Sequence, residues 1–106
     1  MSYQNTIIIG YVGGKATTRM TATGRQVANF SIAVNEKFGD ETLTTWFHVV
    51  AWENLADIAE AHITKGQLLL VEGRIATEMW TDKQGAVNIA LKLTASRIRF
   101  LCGKPE

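Results

Sequence analysis

The chain has 106 residues, 46% hydrophobic and 20% charged, enough to bury one modest core but not two, and too ordinary in composition for a disordered or fibrous protein. Lys plus Arg is 11 and Asp plus Glu is 10, a formal charge of +1, which by itself identifies no nucleic-acid partner. Apolar runs such as Thr6 to Val12 fall far short of the roughly 20 residues of a membrane helix, and Met1-Ser2-Tyr3-Gln4-Asn5 lacks the basic patch and apolar stretch of a secretory signal, so neither membrane insertion nor export is expected.

The stretch Thr6-Ile7-Ile8-Ile9-Gly10-Tyr11-Val12 is short and β-branched and runs into Gly13-Gly14, the pattern of a strand ending in a bend. Thr21-Ala22-Thr23-Gly24 supplies a turn. Between Val27 and Val34, the residues Ala28, Phe30, Ile32 and Val34 share one face, which predicts a strand with one buried side. A third strand, Thr44 to Trp52, follows the loop Glu36-Lys37-Phe38-Gly39-Asp40-Glu41.

From Asn54 the period changes. Leu55, Ile58, Ala59 and His62 recur at helical spacing, predicting a short helix from about Asn54 to Ile63. Asn54 is placed as its N-cap with Asp57 in a capping-box position, and Lys65-Gly66 as its stop. Gln67 to Thr77 and Ala86 to Leu101 read as two further strands around a polar hairpin tip, Trp80-Thr81-Asp82-Lys83-Gln84-Gly85. In the last of these the apolar residues switch from odd (Val87, Ile89, Leu91, Leu93) to even positions (Ile98, Phe100), which predicts a bulge near Ala95 or Ser96. Cys102, the only cysteine, has no intrachain disulfide partner and reads as a small apolar residue at a strand end.

Three strands, one helix and two strands describe a mainly β domain over residues 1–106. The order suits a five-stranded Greek-key barrel with a short helix between its third and fourth strands, the OB-fold, whose open face and loops commonly take oligonucleotides or oligosaccharides. An open α+β sheet with one covering helix is the structural competitor.

Little in the chain points to catalysis. His48 and His62 are the only histidines, and neither stands in a nucleophile-base pattern; His62, on the apolar side of the helix pattern, reads as a partly buried structural histidine. Gly13-Gly14 lacks the spacing of a phosphate-binding loop, and the acidic residues are scattered rather than clustered for metals. No enzyme, cofactor or metal is expected.

The aromatic residues are more informative. In the third strand Trp46, His48, Val50 and Trp52 point to one face and Phe47, Val49 and Ala51 to the other. The odd face suffices as a core row, leaving two tryptophans on a face that is free to stack bases, at about 1–3 kcal/mol each. Trp80 at the root of the hairpin and Phe38 in a charged loop are two more aromatics at positions that need no burial, although all four also fit core or subunit contacts. Lys15, Lys37, Lys65, Arg74, Lys83 and Lys92 are cations able to line a path for phosphates, although each lysine taken alone reads first as a solvated surface residue.

From Asn5 to Leu101 the chain resembles the bacterial-type single-stranded DNA-binding proteins. The resemblance is carried by Ile7-Ile8-Ile9-Gly10, Arg19 with Gly24, Val27-Ala28-Asn29-Phe30, Trp46-Phe47-His48-Val49-Val50, Leu55-Ala56, Lys65-Gly66 and Val71-Glu72-Gly73-Arg74. It implies an OB-fold homotetramer, with a dimer as the other possibility, that wraps single-stranded DNA without sequence preference in the bacterial cytoplasm, or for a phage or mobile element in a bacterial host. The family's stacking aromatics fall on Trp46, Trp52, Trp80 and Phe38, and its basic positions on Arg19 and Lys65; Lys37 and Arg74 complete the expected DNA-binding set.

Three departures accompany the resemblance. The family often has histidine directly after the third-strand tryptophan, where this chain has Phe47; Glu78, Met79 and Asn54 stand where basic residues are common, so weaker binding with a shallower salt slope is expected. The chain given stops at Gly103-Lys104-Pro105-Glu106, where family members usually continue into an acidic tail, so recruitment of repair and replication proteins through a tail is not expected of it. The competing function is an interaction protein of primosome type, with the aromatic face turned to a protein partner.

Overall fold

The computed structural model describes residues 1–101, so the expectation for Cys102 lies outside the described residues. Six strands and one helix follow in the order β1 (Thr6–Val12), β2 (Thr17–Met20), β3 (Gln26–Phe38), β4 (Glu41–Trp52), α1 (Asn54–His62), β5 (Leu68–Thr81) and β6 (Val87–Phe100). All five predicted strands are present. The sixth, β2, is a short strand paired only with β3, and its four side chains are exposed or half-buried, so no apolar alternation announced it.

The sheet runs β1-β5-β6-β4-β3-β2, and a second pairing of β1 with β3 at Tyr11–Ala33 and Val12–Ile32 closes it. Five strands thus form the expected OB barrel, with β2 appended and the helix in the connection before β5. The β4–β6 neighbours are parallel, Phe47–Val50 against Leu91–Thr94; every other pairing is antiparallel.

Inside the barrel, Ile8, Val12, Ala28, Phe30, Ile32, Val49, Ala51, Leu69, Val71 and Leu93 form one buried cluster. To it β3 contributes its even row and β4 its odd row, as their alternation predicts. The bulge falls on Ser96, skipped between the pairs Glu72–Arg97 and Gly73–Ala95; its hydroxyl donates to Glu72 O at 3.1 Å. That extra residue returns Ile98 to the core side after the odd-numbered Leu93 and Ala95.

Helix α1 differs in its details. Glu53 holds the N-cap position with φ 55° and no side-chain cap bond, so Asn54 already belongs to the helix and the predicted capping box is not formed. Of the predicted stripe, Leu55 and Ala59 pack on the core beside Ala56 and Ile63, whereas Ile58 and His62 are exposed, because the alanines let the helix approach the barrel end closely on their side. His62 is exposed and meets the Phe100 ring edge-on, with centroids 6.1 Å apart. The chain leaves the helix at Ile63, ahead of the predicted Lys65-Gly66 stop.

Both long hairpins reach beyond the barrel, and two predicted loops are in fact paired strand. Phe38 pairs with Glu41, leaving Gly39-Asp40 as a two-residue turn, and Gly39 adopts φ 62°, as the first position of a type II′ turn requires. Trp80 and Thr81 likewise belong to β5, opposite Asn88 and Val87. The strand signal fades in both places because neither hairpin end has a buried face to impose alternation.

Candidate nucleic-acid interface

Val27, Ala33 and Val50 are buried yet stand outside the core cluster. They occupy the odd row of β3 and the even row of β4, opposite in parity to the core. The outer face of these strands therefore has its own floor of small apolar side chains, beneath larger groups.

Cross-strand register sets those groups in rows. Trp46 pairs with Ala33, which also pairs with Tyr11; the indole is 55% exposed and leans back against the Gly13 backbone. His48 is in register with Ser31 on one side and Lys92 on the other. Val50 aligns with Asn29 and Thr94, and Thr94 with Arg74. Trp52 pairs with Val27, and Val27 with Arg19.

Two charged groups near the tryptophans are tied down. The Arg25 guanidinium lies 4.5 Å from the Trp52 ring centroid and donates to Glu53 Oε1 at 3.2 Å. The His48 imidazole is hydrogen-bonded through Nδ1 to Glu78 Oε1 at 3.0 Å and through Nε2 to Asn29 Oδ1 at 2.8 Å, linking β3, β4 and β5 between the two tryptophans. Glu78, one of the residues that depart from the family's basic pattern, thus faces a histidine rather than open solvent alone.

Trp80 is 49% exposed on the same row of β5 as Arg74 and Glu78, near the hairpin tip. That tip is organised by Asp82: Oδ1 accepts from the Gln84 and Ala86 N–H groups at 3.0 and 2.9 Å, and Oδ2 from Asn88 Nδ2 at 3.1 Å. The Asn88 bond first, and the backbone donors after it, hold the Asp82 carboxyl below its ordinary range.

Of the eight residues expected in the interface, Trp46, Trp52, Trp80, Arg19, Arg74 and Lys37 fall on one outer face by strand parity and register. Lys65 is exposed at its rim, in the turn where Gly66 N–H donates to Val12 O at 2.8 Å, one residue before Gly13. Phe38 is 61% exposed but shares the parity of Ile32 and Val34, on the reverse side of its hairpin from Trp46. Sequence reasoning missed Arg25, whose place over Trp52 depends on the β3–β4 register, and read Gly13 only as a bend. Aromatic plates over an apolar floor, with cations at the edges, form a surface that can stack bases and meet phosphates. Among the described residues, no group of three or more His, Cys, Asp and Glu side chains is placed to hold a metal ion, and no helix is long and apolar enough to cross a membrane.

The model of the single-strand binding protein family matches residues 3–101, and the chain belongs to that family. It is 35% identical over 92% of its length to single-stranded DNA-binding protein 1 of Chlorobaculum tepidum, and 32% identical over its whole length to a single-stranded DNA-binding protein of Neisseria meningitidis. The chain spans 64% of the length of each of these relatives. It is 34% identical over 99% of its length to a single-stranded DNA-binding protein of Thermotoga maritima, of which it covers 79%. Among solved structures, the SSB of Plasmodium falciparum in complex with ssDNA superposes with a TM-score of 0.82 at 25% identity, covering 95% of this chain and 97% of that one. The small single-stranded DNA-binding protein of Streptomyces coelicolor shares the fold, with a TM-score of 0.84 at 22% identity over 96% of this chain and 97% of that one.

Proposed function

We propose that this chain is a binding protein, not an enzyme, that takes up single-stranded DNA without sequence preference and shields it during replication, recombination or repair in the cytoplasm. The observation that carries the reading is the set of three tryptophans on one outer sheet face, two of them about half exposed above a buried apolar floor. An exposed indole has little to gain there unless a ligand covers it, and every base offers a π-face. Trp46, Trp52 and Trp80 stack bases; Arg19, Lys37, Lys65 and Arg74 meet phosphates; Phe38 takes a base where the strand passes round the back of the β3–β4 hairpin. The likeness to a protein solved with ssDNA supports the same reading.

The domain assembles as a homotetramer in this proposal. Thr6–Ile9 of β1 have no ladder partner on the edge facing β3 among the described residues, and Ile7 and Ile9 are exposed beside it. Open strand edges flanked by apolar side chains favour self-association.

Titration with oligo(dT), followed by tryptophan emission at several salt concentrations, tests the function. Strong quenching that weakens with salt is expected, with Trp46→Ala or Trp52→Ala costing about 1–3 kcal/mol of binding. Unchanged emission at low salt overturns the proposal and leaves the protein-interaction alternative standing.

A further inference from the structure

The outer face does not end at β5. Beyond the last residue of the β1–β5 ladder, Gln4 uses its side-chain amide as a strand would use its backbone: Ile75 N–H donates to Gln4 Oε1 at 2.8 Å, and Gln4 Nε2 donates back to Ile75 O at 3.0 Å. A second pin follows at Asn5, whose Nδ2 donates to Glu72 Oε2 at 2.8 Å. The N-terminal arm is thereby fixed along the β5 edge, and the Glu72 carboxylate on that side of the sheet is occupied.

The pinned arm and β5 enclose an open cleft of about 650 Å³ lined by Ser2, Tyr3, Gln4 and Arg74, within the range of small-ligand sites. A second cleft of about 310 Å³, lined by Gln4, Arg74, Ile75, Ala76 and Thr94, adjoins it through the shared Gln4 and Arg74. Thr94 is in register with Val50 of the tryptophan-bearing strand, which puts Arg74 two strand spacings, about 10 Å, from that row. Tyr3 is 88% exposed and so does little packing, and no ion pair among the described residues engages Arg74.

An idle aromatic ring and an unpaired guanidinium facing one cleft, continuous with the stacking face, are the two groups a nucleotide needs. We infer that this cleft holds one further nucleotide of the bound single strand, its base against the Tyr3 ring and its phosphate on Arg74. Gln4 is a positioning residue, acting through the arm it pins. The inference rests on the single-stranded DNA reading and extends the track past β5.

The test uses the full chain, oligo(dT) of graded length and tryptophan emission, with 5-iodouracil-substituted oligonucleotides for photo-cross-linking. Tyr3→Ala should weaken binding of the longer oligonucleotides by roughly five- to a hundredfold, the range one stacked base carries, and leave the shortest quenching lengths unaffected. Tyr3→Phe should bind like the unaltered chain, Gln4→Ala should show the same length-dependent loss as Tyr3→Ala, and cross-links should map to Tyr3. Unaltered affinity of Tyr3→Ala at every length, with no cross-link at Tyr3 while the tryptophans are still quenched, overturns the cleft and spares the single-strand reading. Absence of quenching at every length overturns both.

Discussion

The Trp46 indole is seated on the backbone of Gly13. A β-carbon on Gly13 would stand 2.7 Å from Cζ3 and 3.1 Å from Cη2 of that ring, and 2.9 Å from Ser31 Oγ. Gly13 is fixed in turn by its N–H, which donates to Ser31 O at 2.9 Å. The benzo end of the indole therefore lies close against Gly13, while Trp46 remains about half exposed.

Gly13→Ala should tilt that plate, since the backbone is held and the side chain must yield. Weaker oligo(dT) binding is expected, by up to about 3 kcal/mol, the share of one stacked base, with less Trp46 quenching. Gly14 supplies the control: a β-carbon there meets nothing within 4 Å, so Gly14→Ala should bind normally. Equal affinities for the two variants would show that the seat does not matter.

Arg25 covers Trp52 on the same face. Its guanidinium, 4.5 Å from the ring centroid and 3.2 Å from Glu53 Oε1, occupies ring surface that a base would use, so binding at Trp52 must displace or share it. Arg25→Ala should cost the free protein no more than about 1 kcal/mol, as expected for an exposed cation–π contact and a surface ion pair. If the displaced guanidinium moves to a phosphate, the slope of log affinity against log salt should become shallower by about one. An unchanged slope would confine Arg25 to packing.

Leu93 tests the barrel rather than the face. It is fully buried on β6, in register with Val49 across the parallel pair and with Ile75 on β5, at the junction that closes the core. Leu93→Ala should lower unfolding stability by about 2–5 kcal/mol in denaturant melts. Trp46→Ala, at a ring already 55% exposed, should cost far less stability and far more binding. Similar losses of stability for both would mean that Trp46 is part of the core after all.

What the sequence made legible follows from where burial imposes a pattern. The rows Ala28-Phe30-Ile32 and Val49-Ala51 alternate because one side faces the core, and the switch from Leu93 to Ile98 revealed the bulge for the same reason. β2 and the outer parts of both hairpins have no buried face, and there the reading gave loops. The tryptophan face followed from parity alone, since a strand with a complete core row must turn the other row outward. Arg25 over Trp52 and Gly13 beneath Trp46 depend on cross-strand register, which local sequence does not contain, and Phe38 turns to the reverse side because β3 runs on through a segment that reads as loop, keeping the parity of Ile32 and Val34. The helix face was legible at Leu55 and Ala59, which pack on the core, and missed at Ala56, because an alanine is a weak signal beside Ile58, yet small residues are what permit close approach.

The β5–β6 tip should be sensitive to acid through Asp82. Its carboxylate accepts from Asn88, Ala86 and Gln84, and these bonds lower its pKa in the folded chain. A lowered folded-state pKa means that the contribution is fully present above the unfolded carboxyl range, near about 4, and is lost as pH falls through the lower folded value. The Asp82 anchor should therefore hold at neutral pH and be lost only in stronger acid. Slow amide exchange at Gln84 and Ala86 should mark the ordered state. Asp82→Asn keeps an acceptor oxygen but no titratable charge, so its protection should be weaker and independent of pH; Asp82→Ala removes both side-chain oxygens, leaving only the backbone carbonyl that accepts from Gly85 N–H, and Gln84 and Ala86 should lose protection at all pH values. Trp80 lies two residues before this anchor, so Asp82→Ala should also reduce quenching at Trp80 by oligo(dT) while sparing Trp46, which is seated on Gly13. Parallel acid titration of the native and Asp82→Asn amides would show that the carboxylate is not what orders the tip.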